Sequence, residues 1–192
     1  MEQDLEAHQW DDLEWENCQF TKCRFRGVRL SELHTKDCSF DECDFSGAIL
    51  ASSHLRSTSF LNCRFEGADF FGARIEKCRM VASEFEGTNF AAVTIKGGDW
   101  SFVNLRYQQL EGLDLTHVRF KGADFMGASL KKCNLQDAIL DEANFFQTKM
   151  QNADLRRASL NKTDLRHAEL KGARIDIAQA IHFAQCFGIT VE

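Results

Sequence analysis

The sequence predicts an all-β solenoid, a square coil of twenty residues stacked along one axis, with a short α-helix at its carboxyl end. Three observations predict it: a period of five that never slips, glycines held to one phase of that period, and no proline in 192 residues.

Every residue number divisible by five from Leu5 to Ile175 carries a large apolar side chain except Thr35, which is 34 of 35 positions. A period of five fits neither the 3.6 of an α-helix nor the alternation of an ordinary strand. It fits a chain that runs extended for a few residues and then turns. Two residues before each large position stands a small one, such as Cys18, Cys23, Ala48, Cys63, Ala68 or Ala123, and seven of the eight cysteines fall there. Alternate residues of an extended segment share a face, so the large side chain fills the axis and the small one the corner. Ten of the twelve glycines follow the large position by two, where a type II turn requires positive φ. Four sides close a coil, and coils stack about 4.8 Å apart, so 35 pentads make about nine coils in a rod on the order of 40 Å long. Proline is excluded because each coil donates backbone N–H groups to its neighbour.

In chain order, residues 1–16 form an acidic first coil with seven acids and no base, and the repeat then runs to Ile175. The register fails at Ala180. Asp176 and Gln179 have capping-box spacing, Ile177, Ala180, Ile181, Ala184 and Phe187 follow at helical spacing, and Gly188 is the C-cap. A helix of about eleven residues and a short strand, Ile189-Thr190-Val191, are expected. The chain thus divides into a β-helix over 1–175 and a capping segment over 176–192. A solenoid needs its ends covered. The apolar residues of this segment, Ile177, Ala180, Ile181, Phe183, Ala184 and Phe187, are expected to pair with the same segment of a second chain about a twofold axis.

The net charge of −6 argues against a direct grip on nucleic acid, which needs clustered Lys and Arg. No apolar run reaches the length of a bilayer span, and the acidic start lacks the features of a signal peptide, so a cytoplasmic protein with no membrane contact is expected. The cysteines are five apart in the inward column, with Cys23, Cys43 and Cys63 stacked in a ladder, which is a packing pattern rather than zinc spacing. His8, His34, His54, His117, His167 and His182 share no spacing with a nucleophile or carboxylate, and no glycine loop opens a helix to hold phosphate. No enzyme, metal, cofactor or small-molecule substrate is expected. Thr35 is read either as a substitution whose hydroxyl bonds a nearby carbonyl or as a local adjustment of the wall at 33–37 that shapes a contact.

Function is therefore expected on the outside of the rod. Of the four walls, the one built on Leu5, Phe25, Phe45, Phe65, Phe85, Leu105, Phe125, Phe145 and Leu165, here the first wall, carries −3, while the others carry −1, 0 and 0. Its acids include Asp44, Glu66, Glu84, Glu86 and Asp124, the candidate partner-binding residues. Arg24, Arg26, Arg29 and Lys22, close behind the acidic first coil, partly cancel its charge.

The consensus Ala/Cys-Asp/Asn-Leu/Phe-x-Gly, unbroken over about 170 residues, resembles the pentapeptide-repeat family, which implies a right-handed quadrilateral β-helix. Within that family the uninterrupted rod is similar to the topoisomerase-interacting Qnr/MfpA branch, as are the segments Ser31-Glu32-Leu33-His34-Thr35 and Glu42-Cys43-Asp44-Phe45-Ser46-Gly47. So is the ending from Gly172-Ala173-Arg174-Ile175-Asp176 to Phe187-Gly188-Ile189. With no projecting loop, it is closest to the MfpA type. The resemblance implies a homodimeric DNA mimic that binds DNA gyrase (GyrA/GyrB), modulates it and protects it from poisons such as fluoroquinolones. The other reading is a rigid scaffold or regulatory module for a different partner.

Overall fold

The computed structural model describes residues 11–191. Leu5, Trp10, His8 and most of the acidic first coil lie outside them.

The short strands are β1 (Glu14–Glu16), β2 (Gln19–Thr21), β3 (His34–Lys36), β4 (Ser39–Asp41), β5 (His54–Arg56), β6 (Ser59–Leu61), β7 (Arg74–Glu76) and β8 (Thr94–Lys96). They form two parallel sheets, β1-β3-β5-β7-β8 and β2-β4-β6, on adjacent walls. Every pairing is twenty residues apart, from Glu14 with His34 in β1 and β3 to the last bridge, Asp154 with Arg174. The expected register therefore holds without a slip, and the described pentads form a quadrilateral β-helix of about eight coils.

Backbone hydrogen bonding explains the sequence consensus. In a pentad such as 43–47, the axial Phe45 donates its N–H forward to Arg64, corner Gly47 donates forward to Glu66, and Asp44 donates back to Cys23. Ala48 closes the turn by donating to the Phe45 carbonyl. The remaining N–H, on Ser46, is taken by the Asp44 side chain at 3.0 Å. The same Asx bond recurs from Asp69 and Asn89 to Asp154 and Asp164, so Asp or Asn before the axial residue is there to satisfy backbone. With all five N–H groups engaged, proline has no place in the repeat.

The glycine expectation needs correction. Positive φ occurs at every corner from Asp12 to Gly172 except His167, and most of these corners are not glycine: Lys22, Ala82, Phe102 and Tyr107 all adopt it. The residues fall in the small left-handed region open to L side chains, at φ between 47° and 63°. Ladder bonds on both sides offset the modest cost.

Down the axis, Phe20, Phe40 and Phe60 stack at 4.8 Å with ring planes 4° apart. Phe25, Phe45, Phe65 and Phe85 do the same at 4.7 to 5.0 Å. Coil spacing equals ring-stacking distance, which accounts for the twelve axial phenylalanines among seventeen in the chain, against one tyrosine. Polar members of the small column bond axial carbonyls of the coil below: Thr88 to Phe65, Thr148 to Phe125, and Cys133 through its thiol to Leu110. The cysteines of the described residues are all free thiols. Burial pushes the Cys78 and Cys133 thiols up to about 12, and the Cys43 thiol with burial also pushes Cys63 up.

Thr35 is buried in β3, in register with β1 and β5, so the wall is not adjusted there. Its hydroxyl meets the Thr58 hydroxyl at 2.9 Å, not a carbonyl as expected. The small column of the next coil reaches into the axis and supplies the partner.

The helix α1 (Ile177–Cys186) begins with the expected capping box: Asp176 accepts from the Gln179 N–H and Gln179 accepts from the Asp176 N–H. Its C-cap is Phe187, one residue earlier than expected. Gly188, at φ 74°, is the left-handed residue beyond, and Ile189 donates to the Ala184 carbonyl in a Schellman arrangement. Residues 189–191 are not a strand, contrary to expectation. The Ile189 N–H is engaged at the helix end, and no neighbouring backbone pairs with the segment among the described residues.

Candidate protein-interaction surface

The predicted acidic residues do share the first wall, but the structure changes what they have to offer. Asp44 is tied to Arg26 at 2.6 Å and to the Ser46 hydroxyl, and Asp124 is tied to Arg106 at 2.6 Å and to Asn144. Burial pushes the Asp44 carboxyl up, but the bonds from Ser46 and Arg26 outweigh it and hold the group below the usual carboxylate range. Glu84 lies 3.8 Å from Arg64. Glu66 and Glu86, both exposed and stacked one coil apart, have no ion pair among the described residues.

The reason is that arginines after the axial residue, Arg26 and Arg106, reach up to the acids before it on the next coil, while the column before the axis itself mixes signs. The outward residue before the axis reads Arg24, Asp44, Arg64, Glu84, Asn104, Asp124 up this wall, each paired with the next. Over the described residues the wall holds six acids and five arginines, close to neutral. Asp4 and Glu6, which supply most of its excess, lie outside them. Two of the four described acids of the first coil are also matched, Asp11 to Arg29 at 3.2 Å and Glu16 to Lys36. A continuous acidic stripe is therefore not present among the described residues. The twenty-residue period gives the Arg64–Glu84 pair directly, whereas Arg26–Asp44 and Arg106–Asp124 are 18 residues apart and cross from one outward column to the other.

At the carboxyl end the helix turns an unexpected side toward the rod. Buried Gln179 donates from its amide to the carbonyls of Leu155 and Ala158, and His182 Nε2 lies 2.9 Å from the Thr163 carbonyl. Phe183 packs against the rod's own core, and Cys186 also faces Thr163. The cap is thus built largely from polar groups that meet the open carbonyls of the last coil. Of the six residues expected to pair with a second chain, Phe183 belongs to this inner side. Ile177, Ala180, Ile181 and Phe187 are exposed and Ala184 half-buried, with Ile177 82% and Phe187 64% accessible.

Among the described residues no group of three or more His, Cys, Asp or Glu is placed to hold a metal, and no helix is long and apolar enough to cross a membrane. What the rod presents instead is a stiff repeating surface whose period matches a known pattern. Models of the pentapeptide repeat region match residues 13–90 and 54–125, and a model of eight pentapeptide repeats matches residues 138–175. The chain belongs to the pentapeptide-repeat family. Solved structures similar to it include a trypsin-treated single-substitution form of QnrB1, a plasmid-mediated fluoroquinolone resistance protein, with 24% identity, full coverage of both chains and a TM-score of 0.64. Full-length QnrB1 aligns over 97% of each chain at 23% identity and a TM-score of 0.57. HetL, a pentapeptide-repeat protein involved in heterocyst differentiation regulation from the cyanobacterium Nostoc, aligns over 86% of each at 22% identity and a TM-score of 0.55. At such identities the likeness is one of fold. No curated protein matches the chain.

Proposed function

We propose that this pentapeptide-repeat protein is a cytoplasmic, non-enzymatic interaction module that binds DNA gyrase, modulates it and protects it from poisons such as fluoroquinolones. The observation that carries the reading is the rod itself, which is continuous, rigid and without a projecting loop, and which aligns along its whole length with a fluoroquinolone resistance protein. A rigid array of outward side chains loses little conformational entropy on binding. On this reading the C-terminal segment over 176–192 joins two copies through Ile177, Ala180, Ile181, Ala184 and Phe187, doubling the length of the rod.

The mimicry differs from a uniformly negative cylinder. Asp44 and Asp124 are occupied by Arg26 and Arg106, so the charge offered to a basic groove comes from Glu66 and Glu86 at the middle of the first wall, with Glu84 held more loosely by Arg64 at 3.8 Å. Supercoiling by purified gyrase, with and without a fluoroquinolone, tests the proposal. Micromolar protein should alter the reaction, and Glu84→Lys with Glu86→Lys should weaken the effect. Indifference of gyrase in both conditions would end this reading and leave the scaffold alternative. The near-neutral wall favours that alternative to the extent that binding survives added salt.

A further inference from the structure

We infer that the edge between the first wall and the next, over residues 66–109, is a docking site for a protein segment that places a Lys or Arg beside a bulky apolar side chain. This does not depend on the partner being gyrase.

The edge holds the longest run of stacked corner glycines among the described residues. Its corner column reads Gly27, Gly47, Gly67, Gly87 and then Tyr107, so four coils of bare backbone end against a projecting ring. Tyr107 is 62% exposed, and its ring covers Gly127 in the coil beyond, where a Cβ would collide with it. Beneath the ring lies a hollow of about 530 Å³ lined by Glu86, Gly87, Ala91, Arg106, Tyr107 and Gln109. Around the corner Phe71 is 53% exposed, with only the small Ala51 and Ala91 stacked below and above it. Phe71 and Tyr107 are two coils apart, about 10 Å along the axis at the spacing of stacked strands. Aromatic side chains are enriched at protein interfaces relative to the rest of the surface.

Charge specifies the occupant. Glu66 and Glu86 stand on adjacent coils, an arrangement of like charges that costs stability when nothing neutralises it. Arg106, twenty residues above Glu86, would be the natural counterion, but it turns away to Asp124 at 2.6 Å. Glu86 is thereby left lining an apolar hollow with Glu66 one coil below it, and the group that completes them is a cation arriving with an apolar neighbour.

The test uses the full-length protein and a short synthetic peptide alternating Lys with Leu, with an all-Lys peptide as control. Amide NMR shifts should concentrate at 66–72, 86–92 and 106–109. The pair Phe71→Ser and Tyr107→Asn, and separately Glu66→Gln with Glu86→Gln, should each weaken binding by about tenfold. All four side chains are exposed, so circular dichroism should be unchanged. Shifts spread over four walls, equal binding of the all-Lys peptide, no binding, or variants that bind like wild type would each overturn the inference. Gyrase binding by the Phe71→Ser and Tyr107→Asn protein is read separately. If wild type binds the peptide but not gyrase, the gyrase proposal fails and the docking site stands.

Discussion

Two adjacent glycines give a matched pair of substitutions with opposite expectations. Gly97 is a corner residue at φ 59°, with nothing within 4 Å of where a Cβ would lie. Ala82 and Ala92 already occupy equivalent corners at φ 55° and 58°. For Gly97→Ala the left-handed cost of about 1 kcal/mol is set against about 0.4–1 kcal/mol from a less flexible unfolded chain, so stability should stay within about 1 kcal/mol of wild type. Gly98 stands in the inward column at φ 99°, and a Cβ there would press into the Cys78 carbonyl oxygen and come within 3.1 Å of its nitrogen. Relief means moving backbone that carries the Asp99 to Cys78 bond at 2.9 Å and the Arg119 to Gly98 bond at 3.0 Å. Backbone strain of about 1–3 kcal/mol and about 0.5–1.5 kcal/mol for each weakened bond put Gly98→Ala at roughly 2–5 kcal/mol. Urea unfolding followed by far-ultraviolet circular dichroism measures both, with fluorescence of buried Trp100 as a local probe. Amide exchange of the flanking coils guards against stepwise solenoid unfolding. If Gly98→Ala loses less than about 1 kcal/mol, the corner relaxes to the form that Cys38 and Thr58 adopt in the same column, and the reasoning is refuted.

Three further outcomes are expected. The Arg157 and Gln179 N–H groups hold the Asp176 carboxyl below its ordinary range, so its contribution is present above the unfolded value of about 3.9 and lost as pH falls through the lower folded value. Amide exchange of α1 should therefore accelerate before that of the coils on acidification, and Asp176→Ala should abolish the difference. A thiol reagent at pH 8 should label the half-exposed Cys18 and Cys186 quickly and the six buried thiols only as the chain unfolds, which mass spectrometry of timed samples would show. Thr35→Val should cost less than about 1 kcal/mol, since Thr58 keeps its bond to the Arg56 carbonyl at 3.0 Å. Thr58→Val should cost about 1–3 kcal/mol by leaving the buried Thr35 hydroxyl unpaired, and equal losses in thermal melts of the two would contradict the assigned pair.

Most of the fold was legible because one physical constraint, the stacking of identical coils, acts on every fifth residue. An axial phenylalanine twenty positions from another must stack on it, and the capping box at Asp176 and Gln179 is a local signal that needs no tertiary context. The failures come where a residue's partner is set by the neighbouring coil. Thr35 found the Thr58 hydroxyl 23 residues on, and Gln179 found two carbonyls of the last coil. Glycine was overread as a requirement: the turn needs positive φ, and in a ladder bonded on both sides a lysine or a phenylalanine accepts it.

The acidic wall was misjudged for a reason that bears on function. Summing charge by wall treats every carboxylate alike, yet the outward positions on each side of the axial residue have different duties. The position before it is committed to the backbone, where Asp or Asn takes the N–H two residues on, and at Asp44 and Asp124 its charge is then matched by arginine from the coil below. An acid there appears in any rod of this consensus and says little about a partner. Among the described residues of the first wall, side chains after the axial residue, and at the corner beyond it, owe nothing to the backbone, and where Arg26 and Arg106 stand they are spent on a neighbouring acid. Glu66, Glu86 and Tyr107 all stand in these free positions, and so does Phe71 on the adjacent wall. What sets this rod apart from others built on the same repeat should therefore be sought in those columns, and the substitutions that change its binding without changing its stability should lie there too.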